Sequence, residues 1–228
     1  MLQNTLNREL KVPGIVLRRT NYGEADRVLN IMTPSGKLAV MAKGVRKTRS
    51  KLAGAVEMFT LSELMVHYGR SEMGTLTAAK MVRHYGNIVK ELARLELASE
   101  ILKQVNKASD NVDDTADYFR ITELSLEALD DGADMEMVEA WVTLNIRRVM
   151  GEELNLYRDV NDEKLVAEAR YNWNGAEGAF EPCVQGRYGA DEIKLLRLMQ
   201  TMELAVVRRI KCDKKTMREA LALARIVR

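Results

Sequence analysis

Residues 37–51 read KLAVMAKGVRKTRSK. Leu38, Val40 and Ala42 alternate with Lys37, Ala39, Met41 and Lys43, the period-two pattern of a half-buried strand with its lysines on the outer face or at the strand ends. The strand then runs into a loop carrying Arg46, Lys47, Arg49 and Lys51, so the stretch holds six Lys or Arg and no Asp or Glu. Each of these cations can displace a condensed counterion from a phosphate, and spacing of this kind suits a polyanion tracked along its backbone. A solvated lysine-rich loop is the commoner meaning of an isolated charge run. The surrounding sequence tilts the reading towards nucleic acid.

Similar short runs lie on either side. Val12 to Thr20, Ala25 to Thr33, Lys37 to Val45, Glu57 to Tyr68 and Met73 to Val82 form five candidate strands. Asn21-Tyr22-Gly23, Pro34-Ser35-Gly36, the basic loop and Gly69-Arg70-Ser71 punctuate them. Five strands in so short a span match a small closed barrel such as the OB fold. Along Phe59 to Tyr68 the apolar face switches from odd to even positions, which predicts a bulged, strongly curved strand.

After Gly86 the period changes to about 3.6 residues. Asn87 is the predicted cap of a helix with Ile88, Leu92, Leu95, Ile101, Leu102 and Val105 on one face. A second helix spans about Thr115 to Leu129 and stops at Gly132. Asp134 caps a third, with Val138, Trp141, Val142 and Val149 inward and Gly151 as terminator. Residues 152–188 are irregular, with a hairpin around Asn172 to Gly178. Two more helices close the chain, one with Leu195, Met199, Met202 and Val206 on a stripe, the other over Lys215 to Val227. The expectation is an α+β protein: a five-stranded OB-fold barrel at residues 1–85, then a mainly α-helical domain at 86–228.

Charge follows the same division. The chain has 35 Lys+Arg against 33 Asp+Glu, yet residues 1–85 hold 14 basic and 6 acidic side chains and residues 86–228 hold 21 and 27. With 46% hydrophobic residues the chain can bury a core. Two cysteines, Cys183 and Cys212, make neither a disulfide framework nor a metal site, which points to a reduced, cytoplasmic protein. The opening MLQNTLNRELK lacks the apolar core of a signal peptide, and no apolar run approaches the ~20 residues that span a bilayer; no membrane association is expected.

Catalysis has little support. His67 and His84 are the only histidines, and each reads better as structural than as half of a nucleophile pair. No Walker loop or Gly-x-Gly-x-x-Gly turn is present, so no cofactor is expected. Asp113-Asp114 and Asp130-Asp131 sit at predicted helix ends, where capping and solvation explain them. Two further basic groups join the candidate DNA contacts: Arg18 and Arg19 after an apolar strand, and Arg208, Arg209 and Lys211, with Lys214, Lys215 and Arg218 nearby. For this last group, cation placement near a helix C-terminus is an equal explanation. Aromatics in the barrel region are few (Tyr22, Phe59, Tyr68 and Tyr85), so backbone contact should outweigh base stacking and sequence specificity should be low.

These residues resemble a known family, the bacterial recombination mediator RecO. The resemblance rests on Gly23-Glu24-Ala25-Asp26-Arg27-Val28-Leu29, Gly36-Lys37, Ala42-Lys43-Gly44 with Arg46 and Ser50, Phe59, and Gly69-Arg70. More loosely, it extends to Glu192-Ile193-Lys194-Leu195-Leu196-Arg197. It implies an OB domain before a helical domain, binding of single- and double-stranded DNA, annealing of complementary strands, and action with RecR to load RecA onto DNA coated by single-strand-binding protein. It also implies phosphate contacts for Lys43, Arg46, Lys47, Arg49 and Lys51, with Lys37 beside them. Many relatives carry a four-cysteine zinc motif in the irregular stretch; here only Cys183 falls within 152–188, so zinc is not carried over and packing must hold the hairpin. Two rivals remain at this level: an RNA-binding OB module, and a protein-binding adaptor without nucleic-acid contact.

Overall fold

The computed structural model describes residues 8–69, 71, 73–110, 112 and 114–227. Arg70 and Asp113, named above, lie outside the described residues. Five strands come first: β1 (Arg8–Tyr22), β2 (Asp26–Thr33), β3 (Gly36–Ala42), β4 (Thr60–Tyr68) and β5 (Gly74–His84). They pair in the order β1-β2-β3-β5-β4 and form a closed barrel, with β1 pairing β4. β3 and β5 run parallel and the other pairs antiparallel, the arrangement of an OB fold. Val16, Leu29, Ile31, Val40, Leu64, Val66 and Leu76 fill its core.

β1 is longer than its sequence predicts because it serves two partners. Arg8 to Ile15 pair with β4, and Ile15 to Tyr22 pair with β2. Leu17 is an extra residue opposite β2, and a bulge of this kind adds the local bend and twist a barrel needs. A Cβ at Gly14 would lie 2.6 Å from Ile31 Cγ2, so a glycine is required where the strands crowd.

The predicted bulge belongs to β5 rather than β4. Thr60, Ser62, Leu64 and Val66 point inward along the whole of β4, while Thr77 and Val82 are the extra residues of β5. Phe59 is buried from an odd position because it precedes β4 in the left-handed region, at φ 59°.

Two helices pack on the barrel, α1 (Leu92–Ala108) and α2 (Ala116–Asp130). Thr115 Oγ1 donates to Thr33 O at 2.7 Å. The predicted cap at Asn87 is not formed. The chain makes a 3-10 turn at Ile88–Lys90 and passes through an extended Glu91 before α1 starts, which buries Ile88 but leaves Leu92 69% exposed. Asn87 Nδ2 donates instead to Asp130 O at 3.2 Å. Met1–Asp130 and Asp131–Arg228 are the two compact units of the chain; the first extends past the change of period at Gly86 because α1 and α2 stay with the barrel.

The second unit contains α3 (Met135–Val149), the hairpin β6 (Tyr171–Asn174) and β7 (Ala179–Pro182), α4 (Ala190–Thr201), the short α5 (Leu204–Val207) and α6 (Lys214–Ile226). Helices α3, α4 and α6 pack on one another. Asp134 caps α3, accepting from Met137 N at 3.1 Å, and Asp213 caps α6, accepting from Thr216 N at 3.0 Å. The predicted stripe through Met202 and Val206 breaks after Thr201, and both residues are exposed. Side chains of α3 end α4: Asn145 Nδ2 donates to Met199 O at 2.9 Å and Trp141 Nε1 to Met202 O at 2.8 Å, satisfying terminal carbonyls that a longer helix would have used.

An aromatic cluster holds the hairpin. Phe180 is fully buried, with ring centroids of Trp173, Tyr188 and Tyr171 at 5.3, 5.6 and 6.1 Å. A Cβ at Gly186 would meet the Tyr171 backbone at 2.5 Å, so the chain closes tightly over β6. The residues here do not fit a zinc ion: among the described residues no three His, Cys, Asp or Glu side chains are grouped to hold a metal. No described helix is long and apolar enough to cross a membrane.

Candidate nucleic-acid interface

The cationic loop is built by residues that carry no positive charge. Asp26 Oδ1 accepts from Gly44 N at 2.6 Å, and Ala25 O accepts from Arg46 N at 2.9 Å. Gly44 takes φ +64°, a region costly for a residue with a Cβ. Val45 then turns into the barrel core, and Ser50 N closes the turn on Lys47 O at 2.9 Å. With the amides of Gly44, Arg46, Lys47 and Ser50 bonded, the loop holds its cationic side chains outward.

Lys43, Arg46, Lys47, Arg49 and Lys51 are all exposed. None forms an ion pair among the described residues. Arg46 Nη1 donates to Gly23 O at 3.2 Å, which fixes the loop to the β1–β2 tip. Tyr22, 60% exposed, stands at that tip and offers one aromatic surface beside the cations. The structure thus joins the two separate sequence segments, 23–27 and 42–46, into one backbone-bonded platform.

The other candidates are placed differently. Lys37 leaves the group: its Nζ donates to Asn106 O at 2.7 Å and pairs with Asp110, tying β3 to the end of α1. Arg19 pairs with Glu57, which also holds Arg27 at 3.3 Å. Arg18 is exposed and has no ion pair among the described residues. The sequence reading gives Arg27 a place in a motif but no contact, and gives Glu57 none; the β1–β2 register that sets Arg27 opposite Asn21 was the signal for Arg27.

Arg208, Arg209 and Lys211 lie in the second unit between α5 and α6. Arg208 pairs with Asp131 at 3.1 Å. Arg208 and Lys211 line a cleft of about 400 Å³ that also contains Asp131, Asp134, Glu136 and Asp213. Burial, with Asp213 and Asp134 nearby, pushes the Cys212 thiol above its ordinary value. Acidic neighbours therefore offset this cluster, whereas at the barrel loop Asp26, bonded to Gly44 N, stands against five exposed cations.

A family described as "Recombination protein O N terminal" matches residues 7–85, and "Recombination protein O C terminal" matches residues 90–226. The chain belongs to the recombination protein O family. A DNA repair protein RecO from Dehalococcoides mccartyi is 27% identical over 222 residues, covering 94% of this chain and 87% of the relative. Another, from a Roseiflexus species, is 27% identical over 226 residues, covering 96% and 80%. One from Rubrobacter xylanophilus is 34% identical over 140 residues, covering 60% and 56%. RecO membership places the chain among DNA repair and recombination proteins. The N-terminal match spans the whole barrel and ends one residue past β5, so the OB barrel with its loop is a family feature rather than a local accident.

Proposed function

We propose that the chain is a non-enzymatic mediator of DNA repair and recombination that binds single- and double-stranded DNA and anneals complementary strands. Acting with RecR, it helps RecA load onto DNA coated by single-strand-binding protein. One observation carries the DNA-binding step: five exposed cations, without ion pairs among the described residues, stand on a loop whose backbone is held by Asp26 and Ala25, with the Arg46 side chain bonded to Gly23 O. Screening both phosphate backbones while gripping few bases lowers the repulsion between single strands and leaves their base edges open, so pairing needs no nucleotide hydrolysis.

Annealing of complementary oligonucleotides should proceed equally with and without ATP. Replacing Arg46 and Lys47 with Ala should weaken binding alike across DNA sequences and reduce the slope of log K against log salt by about 0.7 per lost single-strand contact. An unchanged slope would remove the loop as the phosphate site. Matched RNA competing better than DNA would favour the RNA-binding rival, and absence of affinity for either would favour the protein adaptor.

A further inference from the structure

We propose that Glu57 stands in for a DNA phosphate: its carboxylate holds Arg19 and Arg27 in the free protein, and a backbone phosphate displaces it when DNA binds. This inference rests on the DNA-binding reading above and makes Glu57 a built-in competitor of the strand. Strand register brings the two arginines together. Arg27 lies two residues before Leu29 on β2, and Arg19 lies directly opposite Leu29 on β1. Side chains two apart on a strand, or facing each other across an antiparallel pair, share a face of the sheet. Here that face buries Leu29 and Ile31, with Val40 and Ala42 of β3, in the barrel core. Arg19, Asn21 and Arg27 therefore line the rim of that core. Arg27 is also paired with Ala42, one residue before Lys43, so this rim adjoins the start of the cationic loop.

Glu57 reaches the rim from the link between Val56, buried in the core, and β4. Its Oε2 accepts from Arg19 Nη1, and its Oε1 accepts from Arg27 Nη1 at 3.3 Å. Asn21 Oδ1 steadies Arg27 by accepting from its Nε at 3.3 Å. One carboxylate with an oxygen for each guanidinium repeats what a phosphodiester offers through its non-bridging oxygens. Among the described residues no other acid pairs with either arginine.

The pairing is built to exchange. The Glu57 side chain is 43% exposed, and ion pairs at such exposure contribute little. Moving an arginine onto a DNA phosphate, by contrast, releases condensed counterions. The displaced carboxylate stays tethered beside the strand and competes to return, which lowers affinity and shortens residence. A protein that must let go of annealed strands gains from such a brake. The consequence has a distinctive sign: removing Glu57 tightens DNA binding, whereas removing a purely structural tie would not.

The test measures oligothymidine binding to the full chain by fluorescence anisotropy, in a cycle that crosses Glu57→Gln with the pair Arg19→Ala and Arg27→Ala. Glu57→Gln keeps the shape and removes the charge, and should tighten binding about fivefold, the worth of the exposed pairs that no longer have to break. Losing both arginines should cost about twofold in the wild type, where the lost DNA contacts are offset by the pairs that vanish with them, and about tenfold in the Glu57→Gln background. Glu57→Asp keeps the charge but is too short to bridge both arginines, so it should also tighten binding, by less, and it remains available if Glu57→Gln fails to fold. Equal cost of the arginine changes in both backgrounds would mean that Glu57 acts only as a nearby negative charge, and unchanged or weaker binding by Glu57→Gln would make it a structural tie; either overturns the proposal. So would a Glu57→Gln variant that binds an acidic peptide more tightly but oligothymidine no better, because the arginines would then serve a protein carboxylate. Arg46→Ala with Lys47→Ala reads the loop separately. If that variant binds like the wild type while the cycle keeps its coupling, the loop reading fails and the Glu57 subsite stands; absence of DNA binding by every form would overturn both.

Discussion

Asp26 is an acid at the centre of a cationic surface, and charge alone would make it a liability for DNA binding. Its Oδ1 holds Gly44 N at 2.6 Å, a charge-assisted bond of the stronger kind. It therefore sets the loop's geometry at the expense of one unit of positive potential. Substitution separates the two effects. Asp26→Ala should destabilise the barrel by about 1–3 kcal/mol, read as a lower urea midpoint, and weaken DNA binding although the net charge rises. Asp26→Asn keeps the acceptor and removes the charge, and should bind at least as tightly as the wild type. Tighter binding by the alanine variant would mean that charge, not loop geometry, governs affinity.

Among the elements, legibility in the sequence tracked how local the cause was. β3 is readable from alternation because Val40 and Ala42 are buried while Ala39 and Met41 are not, and the cap at Asp134 is marked by a residue adjacent to its helix, whereas the cap at Asp213 appears only in the structure. The expected strand, Val12 to Thr20, is shorter than β1 because the charged Arg8, Glu9 and Lys11 give no apolar alternation and Asn21-Tyr22 read as a turn. Pro13 is tolerated there because β1 pairs only with β4 at that level, β2 joining from Ile15. The end of α4 was not readable, since Trp141 and Asn145 of α3 impose it from far along the chain. The same holds for the site: loop cations were visible as charge, but the removal of Lys37 by Asp110 depends on α1 folding back against the barrel. The β6–β7 hairpin gives an element-level prediction. With Phe180 buried among Tyr171, Trp173 and Tyr188, Phe180→Ala should cost about 3–5 kcal/mol. A strong chelator should leave the melting temperature of the wild type unchanged. A chelator-induced drop would show that a metal contributes to this fold.

For the whole molecule, the charge contrast between 1–85 and 86–228 does not describe the compact units. Residues 86–130 carry 5 basic and 10 acidic side chains, and they belong to the first unit. Counted by unit, the totals are 19 basic against 16 acidic for Met1–Asp130 and 16 against 17 for Asp131–Arg228. Neither net charge is large enough to steer DNA strongly, so local arrangement decides. Screening confines a surface charge to roughly a Debye length, about 8 Å at physiological salt; the loop's five cations outnumber Asp26, the acid bonded to Gly44 N, while Arg208, Lys211 and Lys214 share a cleft with Asp131, Asp134, Glu136 and Asp213. A fragment of residues 1–130 should therefore retain most of the DNA affinity, and one of residues 131–228 should bind at least about tenfold more weakly than the intact chain. Changing Arg208, Arg209 and Lys211 to Ala in the full chain should cost no more than about twofold. A fragment ending at residue 85 is expected to be less stable to urea than 1–130, because it loses the Thr115 bond to Thr33 and the anchoring of Lys37 by Asn106 and Asp110. If the 131–228 fragment matched the intact chain in affinity, the principal DNA surface would lie around α5 and α6, and the barrel loop would be a solvated face after all.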